Sequence, residues 1–296
     1  MALNVATLKT RSLTAVVFVA VMLVGLLWNF WSFLILFTVI HFGCWLEYLK
    51  LVEEIYTIKI DVFIKRFFAF CGLTLMIVIG QNRFGGDMIK PIAGYYFSMK
   101  WLIWIFLMVC LIIFVTQNKQ ILSKAKWMMF GGFIYVSLPL TLLLNLRDSY
   151  FITDEAFTSL DLGKIYVCAI IFSIWINDTM AYIVGSLIGK TPFSKISPKK
   201  TWEGTIGGAL LCVVVIALLG NFIPIAKVIA VKHWIIIAAL CAIFGTIGDL
   251  FESKLKRMAN VKDSGSIMPG HGGFLDRFDS LLFAAPAVWV YVKLFM

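Results

Sequence analysis

Long apolar runs separated by short polar stretches dominate the chain, and several of them approach or exceed the roughly 17 to 20 residues that a helix needs to cross a hydrocarbon layer. Nine segments fit this pattern, at about 12–28, 30–49, 62–81, 100–117, 127–146, 165–189, 204–224, 230–249 and 274–295. The third is the weakest, because Lys65 and Arg66 interrupt its start. Only Asn29 separates the first two, which predicts a tight helical hairpin. No internal repeat, low-complexity linker or separate soluble domain is visible. The expected organisation is one membrane domain over 1–296, with helices of 1–160 as scaffold and 165–296 carrying the polar loops.

Composition agrees with the pattern. The chain is 61% apolar and only 14% charged, with a mean hydropathy of +0.94, far from the soluble average. The expected fold class is all-α: a polytopic integral membrane protein with about nine transmembrane helices. No short apolar region followed by a small-residue cleavage site opens the chain, so Ser12–Trp28 reads as a retained first span. All six cysteines (Cys44, Cys71, Cys110, Cys168, Cys212 and Cys241) fall inside apolar runs without CxxC pairing, and no disulfide or zinc framework is expected. With the N-terminus inside, inner segments hold more than two thirds of the 26 Lys and Arg, so the positive-inside rule predicts a cytoplasmic N-terminus. The net charge of +10 then concentrates beside anionic head groups and cytosolic nucleotides. The loops at 190–203 and 250–273 both face the cytoplasm on this count.

Three polar features stand out from the apolar background. Asp178 sits in the middle of the sixth span, where an ionisable group costs at least about 2.5 kcal/mol against lipid. It must therefore face protein or an aqueous cavity. At helical spacing it shares a face with Ala181, Tyr182, Gly185, Ser186 and Gly189. A structural role, with a hydrogen bond from Asn177 or Tyr182, and a place on a cavity wall both fit. The following loop interleaves Lys190, Lys195, Lys199 and Lys200 with Ser194, Ser197 and Thr201, a density of amines and hydroxyls suited to a polyphosphate, although a basic cytoplasmic loop also serves simply to set topology; Trp202 is placed to stack on a base. No phosphate-binding GxxxxGK[ST] loop is present.

The third feature, Gly248–Ser280, holds most of the chemistry. If the eighth helix continues beyond its span, Asp249, Glu252, Ser253 and Lys256 share a face, while Asp276 and Asp279 open the ninth span one turn apart. Two acidic helix ends at one mouth would make an oxygen-rich site for a hard cation such as Mg2+, shared with an anionic substrate because Lys256, Arg257, Lys262 and Arg277 stand close by. His271, between Gly270 and Gly272-Gly273, lies on a bendable backbone far in sequence from His41 and His233, which favours phosphate binding or loop holding over zinc ligation.

These stretches resemble the phosphatidate cytidylyltransferase (CDP-diacylglycerol synthase) family. The family's signature runs through Ser253-Lys254-Leu255-Lys256-Arg257, Lys262-Asp263-Ser264-Gly265 and Pro269-Gly270-His271-Gly272-Gly273-Phe274-Leu275-Asp276-Arg277-Phe278-Asp279. Ser197-Pro198-Lys199-Lys200-Thr201-Trp202-Glu203-Gly204 matches its cytoplasmic loop, and Asn177-Asp178-Thr179-Met180-Ala181-Tyr182 resembles its D-T-G-A-Y helix, with Met180 where Gly is usual. The specific resemblance covers about 170–280. It implies transfer of a cytidylyl group from CTP to phosphatidate, giving CDP-diacylglycerol and pyrophosphate for phospholipid synthesis.

The resemblance also implies roles. Asp249 and Asp276 would be metal-binding carboxylates, with Asp279 as an additional ligand or neighbour. Lys199, Lys200, Lys256, Arg257 and Arg277 would hold phosphates of CTP or lipid, with Ser197 and Ser253 as hydroxyl partners. Lys262 and His271 would belong to the same phosphate grip, and Asp178 would line the cavity. The expected cofactor is Mg2+, with a second cation left open. The expected partners are CTP, phosphatidate and membrane lipid, with no nucleic acid and a homodimer left open. A bacterial-type plasma membrane, with the site at its cytoplasmic face, is the expected location. Two other readings remain: a CTP-dependent polyprenol or phytol kinase, which would have to activate a hydroxyl, and an ion-coupled transporter. A transporter predicts a midplane site and often an internal repeat, whereas the polar residues here gather at one face.

Overall fold

A computed structural model describes residues 5–80, 88–92, 95–117, 121–149, 151–152, 159–194, 196–266 and 272–296. His271, Pro269, Gly270 and Lys195 lie outside the described residues. Among those described, each of the nine predicted segments coincides with a helical rod. The rods are α1 (Val5–Leu27), α2 (Phe30–Tyr56), α3 (Val62–Gly80), α4 (Met99–Gln117), α5 (Ser123–Gly132) continued through a π turn into α6 (Leu138–Arg147), α7 (Leu162–Ile188), α8 (Trp202–Phe222), α9 (Val231–Met258) and α10 (Leu275–Phe295). Strands of two to five residues, β1 (Met88–Ile92) with β2 (Tyr95–Ser98) and β3 (Phe151–Ile152) with β4 (Ser159–Leu160), form two short antiparallel pairs in the connections. Among the described residues, six rods are long and apolar enough to cross a membrane: α2, the α5–α6 rod, α7, α8, α9 and α10. No disulfide joins any of the six cysteines among the described residues.

Two helices run past the ends that the apolar pattern predicts. α2 continues seven residues beyond position 49, because Leu51 and Val52 stay buried while Lys50, Glu53 and Glu54 turn to its polar side. It stops at Thr57, whose left-handed φ of 52° is tied by its N–H to the Glu53 carbonyl. Glu53 then accepts from the Ile60 N–H at 2.7 Å and pairs with Lys65 at 2.5 Å, which fixes the turn into α3. α9 likewise extends to Met258, with Lys256 and Arg257 in its last turn where the helix dipole favours cations. The predicted hairpin at Asn29 is built by a capping box: Asn29 Oδ1 accepts from the Ser32 N–H at 2.8 Å, and Ser32 Oγ accepts from the Asn29 N–H at 3.0 Å.

The helices group into two compact units. The first comprises Met1–Asp148 with Asp263–Leu275. Its core centres on Trp45, whose ring meets Phe133 at 5.0 Å and Phe68 at 5.8 Å. The Trp45 indole N–H donates to Ser137 Oγ at 2.8 Å beside the buried His41, so the polar atoms of this apolar core are gathered in one place.

The second unit comprises Ser149–Lys262 with Asp276–Met296. Small residues set its helix contacts. A Cβ on Gly208 of α8 would lie 2.7 Å from the Ala181 backbone nitrogen of α7, and one on Gly248 of α9 would collide with the Asp279 carbonyl of α10. Such close approach is how helices associate without a hydrophobic driving force between them. Here it brings the helix faces that carry Asp178, Asp249 and Asp279 together.

Candidate active site

A cavity of about 480 Å³ opens in the second unit, within the size range of small-molecule sites. Asn177, Asp178, Ala181, Tyr182, Gly185 and Ser186 of α7 form one wall, the face that the helical spacing of Asp178 predicts. Ser197, Lys199, Lys200 and Thr201 of the following loop form another, and Thr246, Asp249, Asp276 and Asp279 from α9 and α10 complete it. Three separate stretches of sequence thus meet in one chamber.

The loop 190–201 is a closed hairpin rather than a loose connection. Phe193 N–H donates to the Lys200 carbonyl at 2.7 Å, and Trp202 N–H donates to the Thr191 carbonyl at 2.9 Å. Glu203, in the first turn of α8, accepts from the Lys190 and Thr191 N–H groups and from Thr191 Oγ1 at 2.8 Å. Thr201 caps α8 by accepting from the Gly204 N–H. Trp202 packs edge-on against Phe193, with ring centres 4.4 Å apart, and remains half exposed.

The acids sort into two groups. One ligand atom each from Asp249, Glu252 and Asp279 all lie within 4.8 Å of one another. Glu252 is fully buried; neither of its oxygens nor Asp249 Oδ2 meets a donor with hydrogen-bond geometry, although Lys256 and Lys200 stand beside them as ion-pair partners. Oxygens bound to one hard cation at roughly 2.0 to 2.6 Å lie at most about 5 Å apart, so this donor set fits a divalent ion. Asp276 is not part of that group and takes a hydrogen bond from the same Lys256 Nζ at 2.6 Å. Asp178 accepts from Asn177 Nδ2 at 3.4 Å and is otherwise turned to the cavity. Burial lowers the pKa of Lys200, and the charge of Lys256 acts the same way, against Asp178 and Asp279. Lys200 is held among the carboxylates rather than in open water.

The structure therefore brings Asp178, Ser197, Lys199, Lys200, Asp249, Asp276 and Asp279 to one cavity, with Lys256 bound to Asp276. Ser253, Arg257, Lys262 and Arg277 are not among the lining residues; the last three are exposed, and Arg257 donates to the Val261 carbonyl at 3.3 Å. Two residues carry more of the site than the sequence reading assigned to them. Glu252 joins the acidic group through its spacing of three from Asp249, and Glu203 closes the lysine loop. The helical spacing was the one signal for Glu252; nothing in a single sequence marked Glu203 as a clamp.

Fold and cavity together define the class: a membrane protein of many helices whose cavity gathers amines and hydroxyls beside carboxylates. The chain belongs to the cytidylyltransferase family, whose profile matches residues 9–295. It is 42% identical over 138 residues to a phosphatidate cytidylyltransferase of Thermotoga maritima, covering 45% of this chain and 51% of that protein. The corresponding enzyme of Bacillus subtilis is 43% identical over 133 residues, 44% of this chain and 47% of its own length. Phosphatidate cytidylyltransferase 4, chloroplastic, of Arabidopsis thaliana is 43% identical over 118 residues, 40% of this chain and 29% of its own. The matched stretch spans about half the length of the two bacterial relatives and less of the plant one.

Proposed function

We propose that the protein transfers the cytidylyl group of CTP to phosphatidate, releasing pyrophosphate and forming CDP-diacylglycerol. The observation that carries this reading is the convergence of Ser197, Lys199 and Lys200 with Asp249, Asp276 and Asp279 on one cavity. A phosphatidate oxygen attacks the α-phosphorus of CTP, a new P–O bond forms, and the bond to the bridging α–β oxygen breaks as pyrophosphate leaves. The second pKa of a phosphomonoester is about 6, so the attacking oxygen is already anionic near neutral pH and needs no strong base. The task left to the protein is to bring two polyanions together and to stabilise the charge that builds on the α-phosphate and the leaving group.

The residues divide that task by position. Lys199 and Lys200, held on the closed hairpin, neutralise CTP phosphates, and Ser197 supplies a hydroxyl to their oxygens. Asp249, Glu252 and Asp279 would hold Mg2+, which when bound neutralises phosphate oxygens and aligns attacking and leaving groups. Asp276 holds Lys256 among the acids, and Asp178 keeps its wall of the cavity polar. Arg257, Lys262 and Arg277 are exposed and Ser253 is half-buried; the three cations would attract anionic substrate and lipid head groups. Helices of 1–160 act as scaffold and 165–296 carry the chemistry. With the N-terminus inside and nine spans, the cavity opens at the cytoplasmic face of a plasma membrane, where CTP is available.

The deciding experiment supplies membranes with Mg2+, phosphatidate and CTP labelled in separate reactions on cytosine or on the γ-phosphate. Cytosine label recovered in lipid is the expected result. Label from the γ-phosphate alone would indicate a lipid kinase, and a folded protein that moves neither label into lipid would overturn both.

A further inference from the structure

Glu47 lies in α2, in the apolar first unit, and is only 7% exposed. A carboxylate in such a place needs strong compensation. It is found more than two hundred residues downstream: Ser264 Oγ donates to Oε2 at 2.7 Å, Phe274 N–H to Oε1 at 2.9 Å, and Leu275 N–H to Oε2 at 2.8 Å. Hydrogen bonds to a charged acceptor are the strong kind. The chain is shaped to admit this side chain. A Cβ on Gly265 would stand 2.6 Å from Glu47 Cδ, and one on Gly273 would collide with the same group.

Leu275 is the first residue of α10, and the opening N–H groups of a helix have no partner within it. An anion at that end satisfies them and complements the positive end of the helix dipole. The next residue in the chain is Asp276, and Asp279 follows one turn on. We infer that Glu47 is a positioning residue: its carboxylate caps the start of α10 from another helix and fixes where the chain enters Asp276 and Asp279. The inference rests on the proposed reaction only in treating those two acids as part of the active site. Glu47 touches no substrate; it acts through the backbone of Phe274 and Leu275.

The test compares Glu47→Gln and Ser264→Ala with wild type by amide hydrogen exchange in detergent and by steady-state kinetics with CTP and phosphatidate. Glutamine keeps the size but turns an NH2 toward a donor, so exchange in peptides covering 272–280 should quicken at least about 10-fold while α9 is unchanged. Misplacement of reacting groups by about 1 Å costs on the order of 100-fold, so kcat should fall to that extent. KM for CTP should stay within about threefold, since the lysine loop is untouched. Ser264→Ala leaves both backbone bonds and should move exchange and kcat the same way by less; it also serves as the readout if Glu47→Gln does not insert. Unchanged exchange at 272–280, an equal rise in α9, or a wild-type kcat in Glu47→Gln would each overturn the inference. Faster local exchange in Glu47→Gln together with a wild type that transfers no cytidylyl group would uphold the cap and sink the reaction instead.

Discussion

Glu252 and Asp276 pair with the same lysine, yet we propose different tasks for them. Glu252 is fully buried and shares its neighbourhood with Asp249 and Asp279, whereas Asp276 is held by Lys256 at 2.6 Å. Three clustered carboxylates repel one another unless cations sit among them. Glu252→Gln is therefore expected to raise the Mg2+ concentration for half-maximal activity by about 10- to 100-fold, the range seen when groups around a metal are altered. Asp276→Asn should instead lower kcat by about 100-fold or more at saturating Mg2+. A Mg2+ titration of both variants, checked for correct insertion, separates the roles; an unchanged midpoint in Glu252→Gln would remove that residue from the ligand set. A lone charge inside an apolar run was readable from the sequence because lipid tolerates it so poorly: Asp178 reaches the cavity, as do Asp249 and Asp279, read as acids at two helix ends. Nearness in sequence misled where the helix turns about 100° per residue. Lys256 points to the acids, and its neighbour Arg257 points away to the Val261 carbonyl.

At the scale of an element, the hairpin 190–201 shows what a basic loop gains from being closed. Four lysines in twelve residues read as a topology signal or as a phosphate grip. The backbone bonds between Phe193 and Lys200 and between Trp202 and Thr191, with Glu203 drawing Lys190 and Thr191 onto α8, hold Lys199 and Lys200 in place before substrate arrives. Ordering done in advance is not charged against binding. Glu203→Gln should raise KM for CTP roughly fivefold, the effect of about 1 kcal/mol for one lost hydrogen bond. kcat should stay near wild type, and initial rates over a CTP series would show it; an unchanged KM would deny the loop its part in nucleotide binding. The helix cores were legible because apolar length alone specifies them. Their ends were not: α2 and α9 run on through charged residues, since one buried stripe suffices to continue a helix once lipid is left behind.

On the scale of the whole molecule, the bonds from Glu47 to Ser264, Phe274 and Leu275 constrain topology independently of charge. We predict from them that the end of α2 and the chain before α10 share one side of the membrane, so that the chain between them crosses an even number of times. The α5–α6 rod, α7, α8 and α9 supply four crossings by length and apolarity. α3 and α4 must then both cross or both stay out. Each has 19 residues, about 28 Å of helix against a core of about 30 Å. Lys65, paired with Glu53 near the start of α3, can reach the interface along its alkyl stem. We predict that both cross. In intact cells carrying single cysteines on a background freed of the native six, Lys90→Cys and Lys227→Cys should react with a membrane-impermeant thiol reagent. Lys59→Cys and Lys262→Cys should react only after permeabilisation. If Lys90→Cys behaves like Lys59→Cys, α3 and α4 do not span, and the protein has seven crossings with the cavity still inside. If Lys59→Cys and Lys262→Cys report opposite sides, the parity fails, and with it the capping of α10 by Glu47 in the membrane.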